Sequence, residues 1–161
     1  MRHVLSVQVE NEPGVLSRVV GLFSARGFNI ESLAVAPVGD GTKSSITMVT
    51  IGEEEIIEQI VKQLNKLIPV IRVVDLTEGP HVERELMLVK VAAQQEVRAE
   101  VLRIADIFRS RVIDATPVSF IVEVTGSSDK LDACLALLTP LGVVEMVRTG
   151  KVAISRGDKR T

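Results

Sequence analysis

Apolar and polar positions alternate at the start of the chain: Leu5, Val7 and Val9 on one side, Ser6, Gln8 and Glu10 on the other. A period of two predicts a half-buried strand over residues 3–10. The period then lengthens. Leu16, Val19, Val20 and Phe23 recur at helical spacing and give residues 13–26 one apolar face. Pro13 stands at the expected helix start, where a missing N–H costs nothing, and Gly27 suits the positive φ of a helix stop. Strand-like stretches return at residues 28–36 and 44–51, separated by the turn-forming Pro37-Val38-Gly39-Asp40-Gly41. After Gly52, the acids Glu53, Glu54 and Glu55 open a second helix, where the helix dipole favours negative charge. Its expected buried stripe is Ile56, Ile60, Leu64 and Leu67, Pro69 ends it, and residues 70–76 form a fourth strand. The order is βαββαβ.

The second half repeats this rhythm. Residues 86–92 read as a strand, and Val97, Val101, Ile104 and Phe108 mark a helix. Strands follow at residues 112–115 and 119–124. Gly126-Ser127-Ser128 caps a helix carrying Leu131, Cys134, Leu135 and Leu138, and residues 143–147 and 152–154 supply the last strands after Pro140. The two copies differ at one turn: Gln94-Gln95-Glu96 stands where the first has Glu12-Pro13-Gly14. The fold class is therefore α+β, two ferredoxin-like βαββαβ domains. The boundaries are residues 1–77, a linker at 78–84 centred on Gly79-Pro80, and residues 85–161. A sheet with helices on one face needs cover on the other, so a dimer is expected.

Composition narrows the function. A net charge of −2 gives no electrostatic reason to bind nucleic acid or an anionic membrane. The only aromatics are Phe23, Phe28, Phe108 and Phe120, so an RNA-binding module of the same strand order would lack its stacking residues. A lone cysteine, Cys134, rules out an intramolecular disulfide, and its helical apolar neighbours mark it as a buried, inert thiol. His3 and His81 lie far apart, without metal-ligand spacing, and no acid, base and nucleophile set converges. The chain enters its first strand directly and has no apolar run of bilayer length, so a cytoplasmic protein is expected.

The remaining candidate is the turn at Pro13-Gly14. By itself it reads first as a plain helix start. Yet a glycine there leaves backbone N–H groups and the positive end of the helix dipole open to a carboxylate.

The run Asn11, Pro13-Gly14-Val15-Leu16-Ser17-Arg18, Gly21-Leu22-Phe23-Ser24 and Gly27-Phe28-Asn29-Ile30-Glu31-Ser32-Leu33 resembles an ACT domain, the small-molecule sensor of amino-acid metabolism. With His81-Val82-Glu83-Arg84-Glu85 and Ser155-Arg156-Gly157-Asp158-Lys159, the resemblance extends over the chain to the regulatory small subunits of acetolactate synthase. It implies a non-catalytic subunit that activates a catalytic large subunit and confers feedback inhibition by a branched-chain amino acid. Thiamine diphosphate, magnesium and FAD would belong to that partner, with no cofactor in this chain. The effector would lie between the ACT domains of a homodimer. One copy would supply Asn11, Pro13, Gly14, Val15 and Leu16, with backbone N–H groups on the carboxylate. The other would supply Asn29 and Ile30 from the second strand. Asn11 and Asn29 offer amide groups, and Ile30, Val35 and Ala36 suit a small branched side chain, valine above all. Another ACT-type amino-acid sensor is the alternative.

Overall fold

A computed structural model describes residues 1–161. In the first half, β1 (Arg2–Glu10), α1 (Val15–Ala25), β2 (Ile30–Val38), β3 (Lys43–Ile51), α2 (Glu54–Leu64) and β4 (Val70–Asp75) follow the expected βαββαβ order. The strands form an antiparallel sheet in the order β2-β3-β1-β4. The alternation of β1 sets the register. Leu5 and Val7 stand opposite Met48 and Ile46 of β3, and all four are fully buried. Val15, Val19 and Phe23 of α1, with Ile57, Ile60 and Leu64 of α2, complete that core. Burying a side chain such as Phe23 stabilises the fold by about 1.5–3 kcal/mol. Both helices therefore lie on one face of the sheet.

The second half has β5 (His81–Ala92), α3 (Arg98–Ile107), β6 (Arg111–Ala115), β7 (Ser119–Gly126), α4 (Ser128–Gly142) and β8 (Val143–Arg148), with sheet order β6-β7-β5-β8. Its core joins Met87, Val89 and Val91 to Phe120, Val122, Val124, Leu131, Cys134 and Leu138. The Arg98 guanidinium donates to the carbonyls of Ala93 and Thr116 at 3.0 and 2.8 Å and lies 4.3 Å from the centre of the Phe120 ring. Ser127 caps α4 by accepting from the Lys130 N–H. Glu85, 8% exposed, takes a two-pronged ion pair from Arg148 at 3.0 and 2.9 Å and a hydrogen bond from the Ser128 hydroxyl at 2.8 Å. Arg148 also reaches Asp132 at 2.6 Å, so the end of β8 is tied to β5 and to α4. The Glu85 carboxylate raises the pKa of the Arg148 guanidinium, which stays charged.

Several boundaries differ from the sequence reading. Helix α1 begins at Val15, because Gly14 before it has φ +83°, outside helical space. Strand β2 runs over Ile30–Val38 and takes in Pro37, tolerable because β2 is an edge strand. In α2 the buried stripe is Ile57, Ile60 and Leu64, with Ile56 packed at the core's margin. Helix α4 continues through Pro140 to Gly142, since a proline in the last turn forfeits only one backbone bond.

The largest correction concerns the domains. The chain divides into residues 1–82 with 151–161, and residues 83–150. The last segment thus joins the first unit, not a domain of residues 85–161, and β5 already begins within the stretch read as linker. Strand β9 (Val152–Ser155) pairs with β5, and Arg156 donates its backbone N–H to Pro80 and its Nε–H to His81. Lys151 donates its N–H to the Ser32 hydroxyl at 2.9 Å. Ala153 packs with Val4, Val49, Val74 and Leu76 on the sheet face that the helices leave bare. Part of the cover expected from a second copy comes from the chain's own tail.

Two outcomes follow. Arg148→Ala leaves the buried Glu85 carboxylate unpaired and is expected to lower stability by about 3 kcal/mol in urea unfolding, with Arg148→Met/Glu85→Leu recovering much of the loss. Deleting residues 151–161 is expected to raise binding of a hydrophobic dye, because Val4, Val49 and Leu76 lose their cover. Unchanged dye fluorescence contradicts that role for the tail.

Candidate functional site

At the end of β1 the chain turns through Asn11, Glu12 and Pro13 and enters α1 at Gly14, whose φ of +83° and ψ of −6° are left-handed. This conformation suits glycine, and a Cβ added there would meet nothing within 4 Å. No side chain caps the helix, and its first turn carries no acid. The Val15 N–H is directed at the Glu12 carbonyl at 3.5 Å, and no side chain caps the N–H groups of Leu16 and Ser17 that follow. Val15 anchors the turn in the core, while Leu16, 40% exposed, stays available beside it. The arrangement has the charge, the donors and the room to hold a carboxylate.

Asn11 has a structural task that its sequence position did not reveal. Its backbone N–H bonds the Thr42 carbonyl and its side-chain N–H the Gly41 carbonyl, both at 2.9 Å. The Asp40 carboxylate in turn accepts from the Thr42 hydroxyl and N–H, which lower its pKa. Gly41 and Thr42, outside the predicted set, thus brace the turn from the β2–β3 connection.

Asn29 lies elsewhere. Its carbonyl accepts from the Thr50 hydroxyl at 2.8 Å, and its side chain is exposed. Ile30 pairs with Thr50, which stands opposite His3, whereas Val38 pairs with Lys43, opposite Glu10. Asn29 and Ile30 therefore sit at the far end of the sheet from the Gly14 turn, roughly 25 Å away at the usual rise per strand residue. Within one chain the two groups do not meet. Val35 and Ala36 also part company, since Val35 stands opposite Ile46 on the helix-covered face and Ala36 opposite Ser45 on the other. Strand β2 is an edge, paired only with β3, and Val35 is 42% exposed on it.

The other candidates resolve into structure. Cys134 is fully buried, and burial pushes its thiol pKa up. His3, also buried, places Nδ1 3.2 Å from Asp75, and His81 bonds Gly79. No group of three or more His, Cys, Asp or Glu is placed to hold a metal ion. Phe23 and Phe120 lie inside the cores and Phe28 and Phe108 pack against them, so neither sheet offers an aromatic platform. No helix is long and apolar enough to cross a membrane.

Comparison with known proteins bears on the whole chain. Residues 5–72 match the family described as AHAS small subunit-like ACT domain, and residues 84–157 match the family described as small subunit of acetolactate synthase. The acetolactate synthase isozyme 3 small subunit of Salmonella typhimurium is 56% identical over 99% of this chain and 98% of its own length. Its Escherichia coli counterpart is 54% identical over the same shares. In structure, the acetolactate synthase small subunit of Thermotoga maritima superimposes with a TM-score of 0.89 at 38% identity, covering 99% of both chains. The chain belongs to the acetolactate synthase small-subunit family, with an ACT domain at residues 5–72.

Proposed function

We propose that this chain is the regulatory partner of an acetolactate synthase large subunit in the cytoplasm, raising its activity and making it subject to inhibition by valine. The chemistry of catalysis, with its thiamine diphosphate, magnesium and FAD, lies in the large subunit. The observation that carries the reading is the uncapped N-terminus of α1 behind an unhindered glycine. Backbone N–H groups there hold the effector carboxylate, where the helix dipole adds to their attraction.

The separation of Gly14 from Asn29 supports a shared site. If β2 of two copies pairs edge to edge and antiparallel, the Asn29 end of one copy comes to the Val38 end of the other. Asn11 is bonded to the β2–β3 connection at that same end. Asn29 then supplies a polar partner from across the interface, and Ile30 and Val35 enclose a short branched side chain. Pairing also removes an exposed strand edge, a general source of association. Effector binding favours the paired arrangement, and the large subunit senses the difference.

Gly14→Asp places a carboxylate where the effector's must sit, and is expected to weaken valine binding by about 2–3 kcal/mol while leaving activation intact. Gly14→Asn, which tolerates the same backbone without the charge, separates repulsion from strain. Valine titration of the reconstituted complex reads both. Normal inhibition in a folded, assembled Gly14→Asp variant contradicts the site. Light scattering of the isolated chain is expected to give a dimer at micromolar concentration. A monomer both with and without valine contradicts the shared site.

A further inference from the structure

The effector reading gives Ile30 and Val35 one task, so both must lie on the same face of β2. Strict alternation forbids this, because strand positions an odd number of residues apart point to opposite sides. The conflict is resolved at Glu31. Ile30 stands opposite Thr50 of β3, but Ser32 stands opposite Val49, so two steps along β2 match one along β3. Glu31 is the extra residue. From Ser32 to Val38 the register is regular, with Leu33 opposite Met48 and Val35 opposite Ile46 on the helix-covered face. Without the extra residue, Ile30 would join Ser32, Ala34 and Ala36 on the other face. With it, Ile30 packs against the same core as Leu33.

Hydrogen bonds pin this bulge on each side. Thr50 is fully buried, and its hydroxyl donates to the Asn29 carbonyl at 2.8 Å. Asn29 precedes the first residue of β2, so a side chain holds its backbone where the ladder does not. The Glu31 carboxylate accepts from the Arg2 Nε–H at 2.9 Å, and the Ser32 hydroxyl accepts from the Lys151 N–H. Bulges re-aim neighbouring side chains and recur beside functional sites. A bulge that only blunted the β2 edge would interrupt its length, whereas this one occupies the first residues of the strand.

We propose that the Glu31 bulge, held by Thr50 and Arg2, shapes the effector site by turning Ile30 to the face of Val35 and fixing Asn29 beside it. Thr50 is a positioning residue: it acts on the effector through Asn29 and Ile30. The inference rests on the shared site proposed above and names the residues that set its side-chain half.

Calorimetric titration of the full-length chain with valine, alongside urea unfolding of each variant, tests it. Thr50→Val keeps the shape and removes the hydroxyl, and is expected to weaken valine binding about tenfold. Thr50→Ser keeps the hydroxyl and loses a buried methyl, so it is expected to bind valine within about twofold of the unsubstituted chain despite a lower stability. Arg2→Gln is expected to weaken binding about threefold, in keeping with a surface ion pair. Unchanged affinity in a folded Thr50→Val variant overturns the proposal, and so does equal weakening in Thr50→Ser, which marks a purely structural role. Should Thr50→Val fail to fold, Arg2→Gln decides, and unchanged affinity there overturns the proposal. No valine binding by the unsubstituted chain, or normal inhibition in Gly14→Asp, overturns the effector reading itself. Loss of inhibition in Gly14→Asp with full affinity in Thr50→Val overturns the role of the bulge alone.

Discussion

With α1 and α2 both on one side, the first sheet presents its opposite face and its β2 edge to whatever can cover them. The chain answers the first demand itself. The tail, which follows the second domain in sequence, covers Val4, Val49, Val74 and Leu76 with Ala153. The second demand it leaves open, because β2 pairs only with β3. In the proposed dimer this edge, which carries Glu31 among small and apolar residues, meets its own copy. Under that proposal, regulation needs no moving part beyond the strength of the pairing. A ligand bridging two chains stabilises the paired arrangement by its own binding free energy.

The two domains show how one topology serves two purposes. In the first, Gly14 leaves the start of α1 bare. In the second, α3 begins beside Arg98, whose guanidinium is committed to the Ala93 and Thr116 carbonyls and stacks on Phe120. That corner is closed by protein groups, and the Glu85–Arg148 pair fixes another. The second domain is braced where the first is open.

Local pattern carried much of this. Alternation in residues 3–10 located β1 to within a residue, because its two faces differ sharply in polarity. Helical spacing pointed to Ile56 in the α2 stripe, but packing against the sheet buries the adjacent Ile57 instead. The Gly14 turn was legible from the absence of a side chain beside a proline, though the backbone angle that delays α1 was not. Long-range effects were invisible. Residues 152–154 announced a strand but not its place over β1 and β3, and nothing in the spacing of Asn11 revealed its bond to Gly41. Val35 and Ala36 lie on opposite faces of β2, as strand alternation requires of neighbours, whereas Ile30 shares the face of Val35 through the register shift between Ile30 and Ser32.

The central claim is that a branched-chain amino acid binds at the Gly14 turn across two copies of this chain. Calorimetric titration of the isolated protein with valine, leucine and isoleucine, repeated over a range of protein concentrations, tests it most directly. The account predicts saturable binding with valine tightest, and an apparent affinity that rises with protein concentration as the copies pair. Saturable binding of valine to a monomer, with an affinity independent of protein concentration, or no binding of any of the three, would contradict it.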